Sequence, residues 1–320
     1  MAGPPLLIVG QSLELHRPPL AEAVAARDPA PLVDRARLQL ESGAQALDLN
    51  AGLRGWSADL LWAAGALRRG GVHAALWLDG GSATELAAAL DGCADAGVAG
   101  PLVANALPAG ATLGPGAAPE EAALLAAAAR QGAGLVVSPR LLDRGGVAAA
   151  EPEWIVHEAA QVVEKARGWG VAGPHYLDAL AWPAVQDAAG CRRSLDLLRR
   201  YREAVPYAVP LVAVANVAFG AGVEVGAALR RLYAAAAAGA GAGALILPVE
   251  DRDCLRAARL ATAEAAPAGE VEGYLVMVAG AIATGRIPAP PPEGANPALA
   301  EAWRLLFDVT AEAEPPSFAF

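Results

Sequence analysis

Six polar residues stand where apolar stretches of the sequence end, and all six are aspartate or asparagine. They are Asp48, Asn50, Asp79, Asn105, Asp178 and Asn216. Carboxylate and amide oxygens accept hydrogen bonds from N–H groups, and an amide also donates. A site made of these groups, with no lysine or histidine among them, favours a neutral planar ligand rich in N–H donors. A phosphate would instead require arginine, lysine or a glycine nest.

Each of these residues, taken singly, is also typical of a helix cap or a turn. Asn216 illustrates the choice, because it follows the apolar run Val-Ala-Val-Ala in residues 212–220, where a small apolar side chain would pack more easily. The functional interpretation therefore depends on whether the six side chains meet. That depends on the elements that carry them.

Short apolar runs and longer segments of helical periodicity alternate from the start of the chain to about residue 263. Strands are predicted at residues 6–9, 46–50, 74–79, 102–105, 134–138, 175–178, 211–215 and 244–247. Eight strand–helix units in this order predict a (β/α)8 TIM barrel over residues 1–264. In such a barrel the loops that follow the strands gather at one face, and the chemistry sits there.

The pattern changes after residue 264. Residues 271–284 and 298–311 predict two helices, separated by a proline-rich segment at 287–297. We expect residues 265–320 to form a helical C-terminal extension that packs on the barrel and not a separate domain.

Composition narrows the classes of function. The chain has 320 residues, of which 55% are hydrophobic, enough for one large core. A formal net charge of -10 leaves no basic stripe that would bind nucleic acid. The three cysteines form no Cys-x-x-Cys pair, so we expect neither a disulfide framework nor a zinc knuckle, and a cytoplasmic location. The uncharged residues 232–249 are interpreted as a helix end followed by a buried strand, so no membrane span is expected.

The remaining candidate motifs are weaker. The glycine-rich residues 239–243 follow a helix and precede a strand, the wrong order for a dinucleotide-binding loop. The four histidines show no metal-ligand spacing, so this chain is expected to bind no metal. His16 alone lies in the first strand–helix connection and could face the barrel mouth. Trp182 and Phe219 lie in later connections, where they could stack on a ligand ring or pack within their loops.

Five segments resemble the pterin-binding barrel family and, within it, the methyltetrahydrofolate:corrinoid protein methyltransferases. They are residues 21–52, which end in Ala-Leu-Asp-Leu-Asn-Ala-Gly; 76–81, Leu-Trp-Leu-Asp-Gly-Gly; 102–107, Leu-Val-Ala-Asn-Ala-Leu; 175–187; and 213–220. The resemblance covers about residues 6–263 and keeps the family's order and spacing.

The resemblance implies a role for each of the six residues. Asp79, Asn105 and Asp178 would bind the pterin, while Asp48 and Asn50 would shape the pocket floor or its hydrogen-bond network. The catalytic residue would be Asn216, near the N5 atom that releases a methyl group. The substrate would be methyltetrahydrofolate, and the acceptor would be the Co(I) of a corrinoid (cobalamin) on a separate protein. The resemblance also implies a homodimer.

Two departures from the family keep alternatives open. Residues 11–14 read Gln-Ser-Leu-Glu where the family usually has a Glu-Arg-Ile-Asn type of segment, and residues 138–140 replace a turn that often contains asparagine. A non-catalytic barrel that docks a corrinoid protein is therefore one alternative. The other is a dihydropteroate synthase-like transferase, which needs an anion site and a lysine after the seventh strand. The only lysine, Lys165, falls in the middle of a predicted helix.

Overall fold

The strands close into a parallel barrel. The computed structural model describes residues 5–52, 57–109, 111, 118–139 and 151–309. Each strand pairs with the next in chain order, and the last pairs with the first. The strands are β1 Leu7–Glu14, β2 Ala46–Asn50, β3 Ala75–Asp79, β4 Leu102–Ala109, β5 Gly134–Pro139, β6 His175–Asp178, β7 Val209–Ala213 and β8 Ala244–Leu247. The predicted (β/α)8 TIM barrel is confirmed.

The helices surround this barrel. They are α1 Leu20–Ala26, α2 Ala30–Glu41, α3 Ser57–Arg69, α4 Ala83–Asp95, α5 Pro119–Gln131, α6 Pro152–Gly168, α7 Ala188–Ala204, α8 Val223–Ala240, α9 Arg252–Ala261, α10 Glu270–Ala283 and α11 Pro297–Phe307. A 3-10 helix, Val214–Ala218, follows β7. Residues 232–249 form the end of α8 and then β8, as predicted. Within the described ranges, no helix is long and apolar enough to cross a membrane.

Strand β1 is longer than the sequence predicts. The predicted strand ends at residue 9, whereas β1 continues to Glu14 through a register shift against β2 between Gly10 and Leu13. The backbone N–H of Ser12, inside this bulge, donates to Oε1 of Gln39 at 3.0 Å, and Gln39 is fully buried on α2. A bulge accommodates an extra residue and changes the direction in which side chains point. Residues 11–14, predicted to form a loop, are thus strand residues at the barrel mouth.

Apolar side chains fill the barrel interior beneath the carboxyl ends of the strands. Nine buried residues form this interior cluster: Val9, Ala46, Trp77, Val103, Val136, Tyr176, Leu211, Ala244 and Ile246. The rings of Trp77 and Tyr176 lie 4.5 Å apart, centroid to centroid. Since side chains alternate along a strand, the residues two and four positions after Ala46 share its inward face. The polar ends of the strands therefore point into the barrel above an apolar plug.

The predicted C-terminal helices pack on the outside of the barrel. Helices α10 and α11 both contact α8, and α11 also contacts α7. A Cβ atom at Gly239 of α8 would lie 2.4 Å from the carbonyl oxygen of Ala279 on α10, so the close approach of these two helices requires glycine. The proline-rich segment between the two helices is held by the hydroxyl of Tyr274, which donates to the Ala289 carbonyl at 2.9 Å. The division of the chain at residue 264 stays a prediction.

Candidate active site

All six predicted residues line one cavity at the carboxyl ends of the strands. The cavity has a volume of about 1230 Å³. Leu211 and Ile246 of the interior cluster belong to its lining, so the apolar plug forms the floor. The six are Asp48 and Asn50 on β2, Asp79 on β3, Asn105 on β4, Asp178 on β6 and Asn216 after β7. The convergence on which the functional interpretation depends is therefore present, while the binding role of each residue stays a prediction.

Four of the lining residues form a row across adjacent strands. Glu14 is opposite Asn50, Asn50 is opposite Asp79, and Asp79 is opposite Asn105 in the strand register. Nδ2 of Asn50 donates to Oδ2 of Asp79 at 2.6 Å, while its own Oδ1 accepts from the backbone N–H of Gly52 at 2.7 Å. Both ends of the Asn50 amide are thus bonded, which fixes the orientation of the Asp79 carboxyl group.

Asp48 lies one layer deeper on the same face of β2. Its side chain is almost completely buried, and Nδ2 of Asn105 donates to its Oδ1 at 3.3 Å. Burial, and then the charge of Asp79, raise the pKa of Asp48 well above its usual value. Burial, and then the charge of Asp178, raise the pKa of Asp79 to about 7. The charged forms of both carboxyl groups are therefore disfavoured, because ionisation would place several negative charges in one poorly solvated cavity.

Asp178 has a different set of partners. Its Oδ1 accepts from the backbone N–H of Leu180 at 2.9 Å, and its Oδ2 accepts from the hydroxyl of Ser138 at 2.9 Å. Burial raises the pKa of Asp178, and these two hydrogen bonds oppose the rise. A carboxylate has about four acceptor positions. Asp178 therefore keeps acceptor capacity on both oxygens for a ligand with two adjacent N–H groups.

Asn216 lies on the 3-10 helix and not at the end of the seventh strand. The predicted strand runs to residue 215, whereas β7 ends at Ala213 and the chain turns immediately. The Asn216 side chain is half-buried and lines the cavity, and its amide makes no hydrogen bond within the described part of the chain. Phe219, half-exposed, also lines the cavity. Trp182 instead packs against Gly190, where a Cβ atom would lie 2.8 Å from the indole ring.

Several lining residues were not predicted as site residues. They are Gln11, Glu14, Arg17 and Ser138. Oε1 of Gln11 is buried and has no hydrogen-bond partner among the described residues, so it is an acceptor available to a ligand. The β1 bulge brings Gln11 and Glu14 to the mouth, and nothing in the sequence pattern indicates that bulge. Ser138 ends a predicted apolar run, as the six predicted site residues do. Its position in the sequence could therefore have identified it as a site residue.

The two arginines that the structure describes at the mouth are paired with carboxylates. Arg17 forms an ion pair with Glu14 at 3.3 Å, and Arg27 forms one with Asp59 at 2.9 Å; all four line the cavity. His16, which was expected to be able to face the mouth, also lines it. Within the residues that the structure describes, no group of three or more His, Cys, Asp or Glu side chains is arranged to hold a metal ion.

Comparison with known proteins identifies the fold. No protein-family model matches the chain, and no curated protein matches it in sequence. Among solved structures, it is similar to a dihydropteroate synthase (DHPS) of Yersinia pestis with a pterin–sulfa conjugate, with a TM-score of 0.56 and 14% identity over 81% of this chain and 93% of that chain. It is also similar to the Thermus thermophilus dihydropteroate synthase in complex with 6HMPPP, with a TM-score of 0.51 and 20% identity over the same shares of the two chains. The chain thus has the same barrel fold as these two dihydropteroate synthases.

Proposed function

We propose that the cavity binds the pterin ring of a reduced folate and that the chain is a methyltransferase. It would transfer the N5-methyl group of methyltetrahydrofolate to the cobalt of a corrinoid carried by a separate protein. One observation carries the proposal: Asp79, Asn105 and Asp178 meet in one cavity with the amide of Asn216, which has no partner among the described residues.

Pterin recognition follows from the hydrogen-bonding groups that the cavity offers. The 2-amino-4-oxopyrimidine edge of a pterin presents adjacent N–H donors, which the two oxygens of Asp178 would accept together. Asp79 and Asn105 would complete the pterin contacts on the opposite wall. Asp48 and Asn50 would act indirectly, by orienting the residues that contact the pterin. Asn50 donates a hydrogen bond to Asp79, and Asp48 accepts one from Asn105.

Methyl transfer places a specific demand on the group beside N5. As the C–N bond breaks, its electron pair stays on N5, which must gain a proton or a strong hydrogen bond. A corrinoid in the Co(I) state would supply the nucleophile. The Asn216 amide would donate to N5, and this bond would strengthen as the methyl group leaves, so it would stabilise the transition state more than the ground state.

The expected partner and assembly belong to the same proposal. Methyl transfer to a second protein requires access to the cavity from outside, and half-exposed Phe219 beside the lining amide is consistent with such access. A corrinoid protein as partner, a homodimer and a cytoplasmic location rest on the resemblance and the composition.

A dihydropteroate synthase-like transferase is the second candidate, because both solved structures above are dihydropteroate synthases. Loss of a pyrophosphate group would need cations at the mouth. The described arginines there, Arg17 and Arg27, are both paired with carboxylates. A non-catalytic docking barrel is less well supported than the sequence suggests, since Gln11 and Glu14 supply polar groups on the wall where the departure lies.

Two measurements test the proposal. Calorimetric titration with methyltetrahydrofolate should show binding, and its absence at millimolar ligand would exclude both pterin functions. The protein mixed with methyltetrahydrofolate and Co(I) cobalamin should form methylcobalamin, followed by its absorption spectrum.

Variants of Asn216 separate binding from chemistry. Asn216→Asp keeps the size of the side chain but loses the N–H donor, and Asn216→Ala removes the group. Both should lower turnover by about 10²-fold or more while affinity for the pterin changes little, because removal of one preorganised donor has this magnitude. Unchanged turnover in both variants would exclude the role. A parallel reaction with a pterin pyrophosphate and an arylamine tests the second candidate.

A further inference from the structure

Helix α7 contacts residues 178–182, which are the last residue of β6 and the segment that follows it, on the side away from the cavity. Three of its side chains donate to backbone carbonyls of this segment: Tyr201 to Asp178 at 3.5 Å, Ser194 to Ala179 at 3.1 Å, and Cys191 to Trp182 at 3.1 Å. The three donors are at most 1% exposed. Positions 191, 194 and 201 lie on one side of a helix with 3.6 residues per turn, so one face of α7 makes all three bonds.

The same segment contains a backbone conformation that a residue with a Cβ atom adopts only at a cost. Leu180 has φ 53°, in the left-handed region. Its side chain packs against the hydrophobic core, and its backbone N–H points at Oδ1 of Asp178. Such a conformation persists when the surrounding contacts over-determine it. The three carbonyl contacts from α7 and the packing of the Leu180 side chain are those contacts.

We propose that Ser194, with Tyr201 and Cys191, is a positioning residue of the candidate site. These three side chains fix the carbonyls of residues 178–182 and so hold Leu180 in the conformation that keeps its N–H on Asp178. The Asp178 carboxylate then keeps one fixed orientation toward the cavity. The consequence for ligand affinity rests on the proposed pterin binding, whereas the state of Asp178 is measurable in the protein without ligand.

The groups around Asp178 determine the sign of the effect. Asp79 on β3, Tyr201 on α7 and Tyr233 on α8 interact with it electrostatically, and Ser138 on β5 donates to it. A change at residue 194 leaves the Ser138 bond and the Asp79 carboxyl group in place, although it removes the interaction of Ser194 with the Tyr233 hydroxyl. Loss of the Leu180 bond removes one of the two hydrogen bonds that oppose the raised pKa of Asp178. A looser segment should therefore raise that pKa further and weaken Asp178 as an acceptor at neutral pH.

The test is a titration of Asp178 by NMR in protein labelled with ¹³C at aspartate carboxyl groups. Ser194→Ala should raise the pKa of Asp178 by about one pH unit, the size expected for weakening a hydrogen bond to a charged group. Tyr201→Phe should act in the same direction with a smaller effect, since its contact is the longest. Leu90→Ala, a buried change on α4 that does not contact this segment, controls for general destabilisation.

A second set of variants, built on Leu180→Gly, tests whether Ser194 influences the pKa of Asp178 through the backbone of Leu180. Glycine adopts this conformation without cost, so in Leu180→Gly the further change Ser194→Ala should shift the titration by less than half as much. Unchanged Asp178 titration in both Ser194→Ala and Tyr201→Phe, or equal shifts in the two backgrounds, would overturn the inference. If the wild-type protein fails to bind methyltetrahydrofolate, the proposed function fails while these titrations still decide the positioning role.

Discussion

Asp79→Asn should stabilise the protein, and the gain should depend on pH. Asp79 has a pKa of about 7 in the folded chain, compared with 3.8 for an unperturbed aspartate, chiefly because burial disfavours its charge. Between these two values the folded state binds more protons than the unfolded state, so wild-type stability falls as the pH rises from about 4 to 7. An asparagine carries no such charge at any pH. Its carbonyl oxygen can still accept the hydrogen bond from Asn50.

The magnitude follows from the pKa difference. A rise of about three pH units corresponds to an ionisation penalty of about 4 kcal/mol above pH 7. Part of this penalty is shared with Asp48 and Asp178, whose charges interact with Asp79. We expect the free energy of unfolding of Asp79→Asn to exceed that of the wild type by about 2–4 kcal/mol at pH 8, and by close to zero at pH 4.

Urea unfolding followed by circular dichroism, repeated from pH 4 to pH 8, measures this difference. Asp34→Asn is the matched control, because Asp34 is an exposed carboxylate on α2 outside the cavity. That variant should show no comparable gain between pH 5 and 8. A constant difference between Asp79→Asn and the wild type across the range, or lower stability of the variant at pH 8, would refute the reasoning that the cavity disfavours the charge of Asp79.

Three further outcomes are expected. Methyltetrahydrofolate binding should release protons below about pH 7, because N–H donors of the ligand favour the ionised form of Asp79. Calorimetry in two buffers of different protonation enthalpy measures the number of protons released. If no protons are released, the raised pKa of Asp79 is contradicted. Ser138→Ala should raise the pKa of Asp178 and weaken pterin binding by about tenfold, measured by the same titrations; an unchanged pKa would mean that the Ser138 bond is unimportant. Gly239→Ala should destabilise the protein by about 1–3 kcal/mol, because the added Cβ atom would clash with α10. The control Gly273→Ala, with open space around its Cβ atom, should stabilise the protein by up to about 1 kcal/mol. Equal urea midpoints for the two variants would argue against close packing of α8 and α10.

The parts that sequence predicts well are those governed by short-range periodicity. Asp48, Asn50 and Asp79 end apolar runs, and the barrel places the ends of successive strands side by side, so their meeting follows from the order of the elements. The chain turns two residues earlier after β7 than the apolar run suggests, and Asn216, on the 3-10 helix that follows, still lines the cavity.

The parts that sequence did not predict depend on contacts between distant segments. In the β1 bulge, the backbone N–H of Ser12 donates to Gln39, which is 27 residues away in the sequence. The left-handed Leu180 depends on side chains of α7 that read in the sequence as ordinary helix residues. The local sequence pattern predicts neither the Ser12–Gln39 contact nor the contacts of α7 with residues 178–182. Both sets of contacts nevertheless influence which polar groups reach the cavity.

The clustered carboxyl groups also change how the charge of the whole molecule should be counted. The formal value of -10 treats every aspartate as ionised at pH 7. Burial raises the pKa of both Asp48 and Asp79, that of Asp79 to about 7, so the protein without ligand should migrate as a less acidic species than its composition indicates. A ligand that donates hydrogen bonds to these groups would restore the missing negative charge. Electrophoretic mobility would then report occupancy of a cavity that lies inside the barrel, with no change at the outer surface.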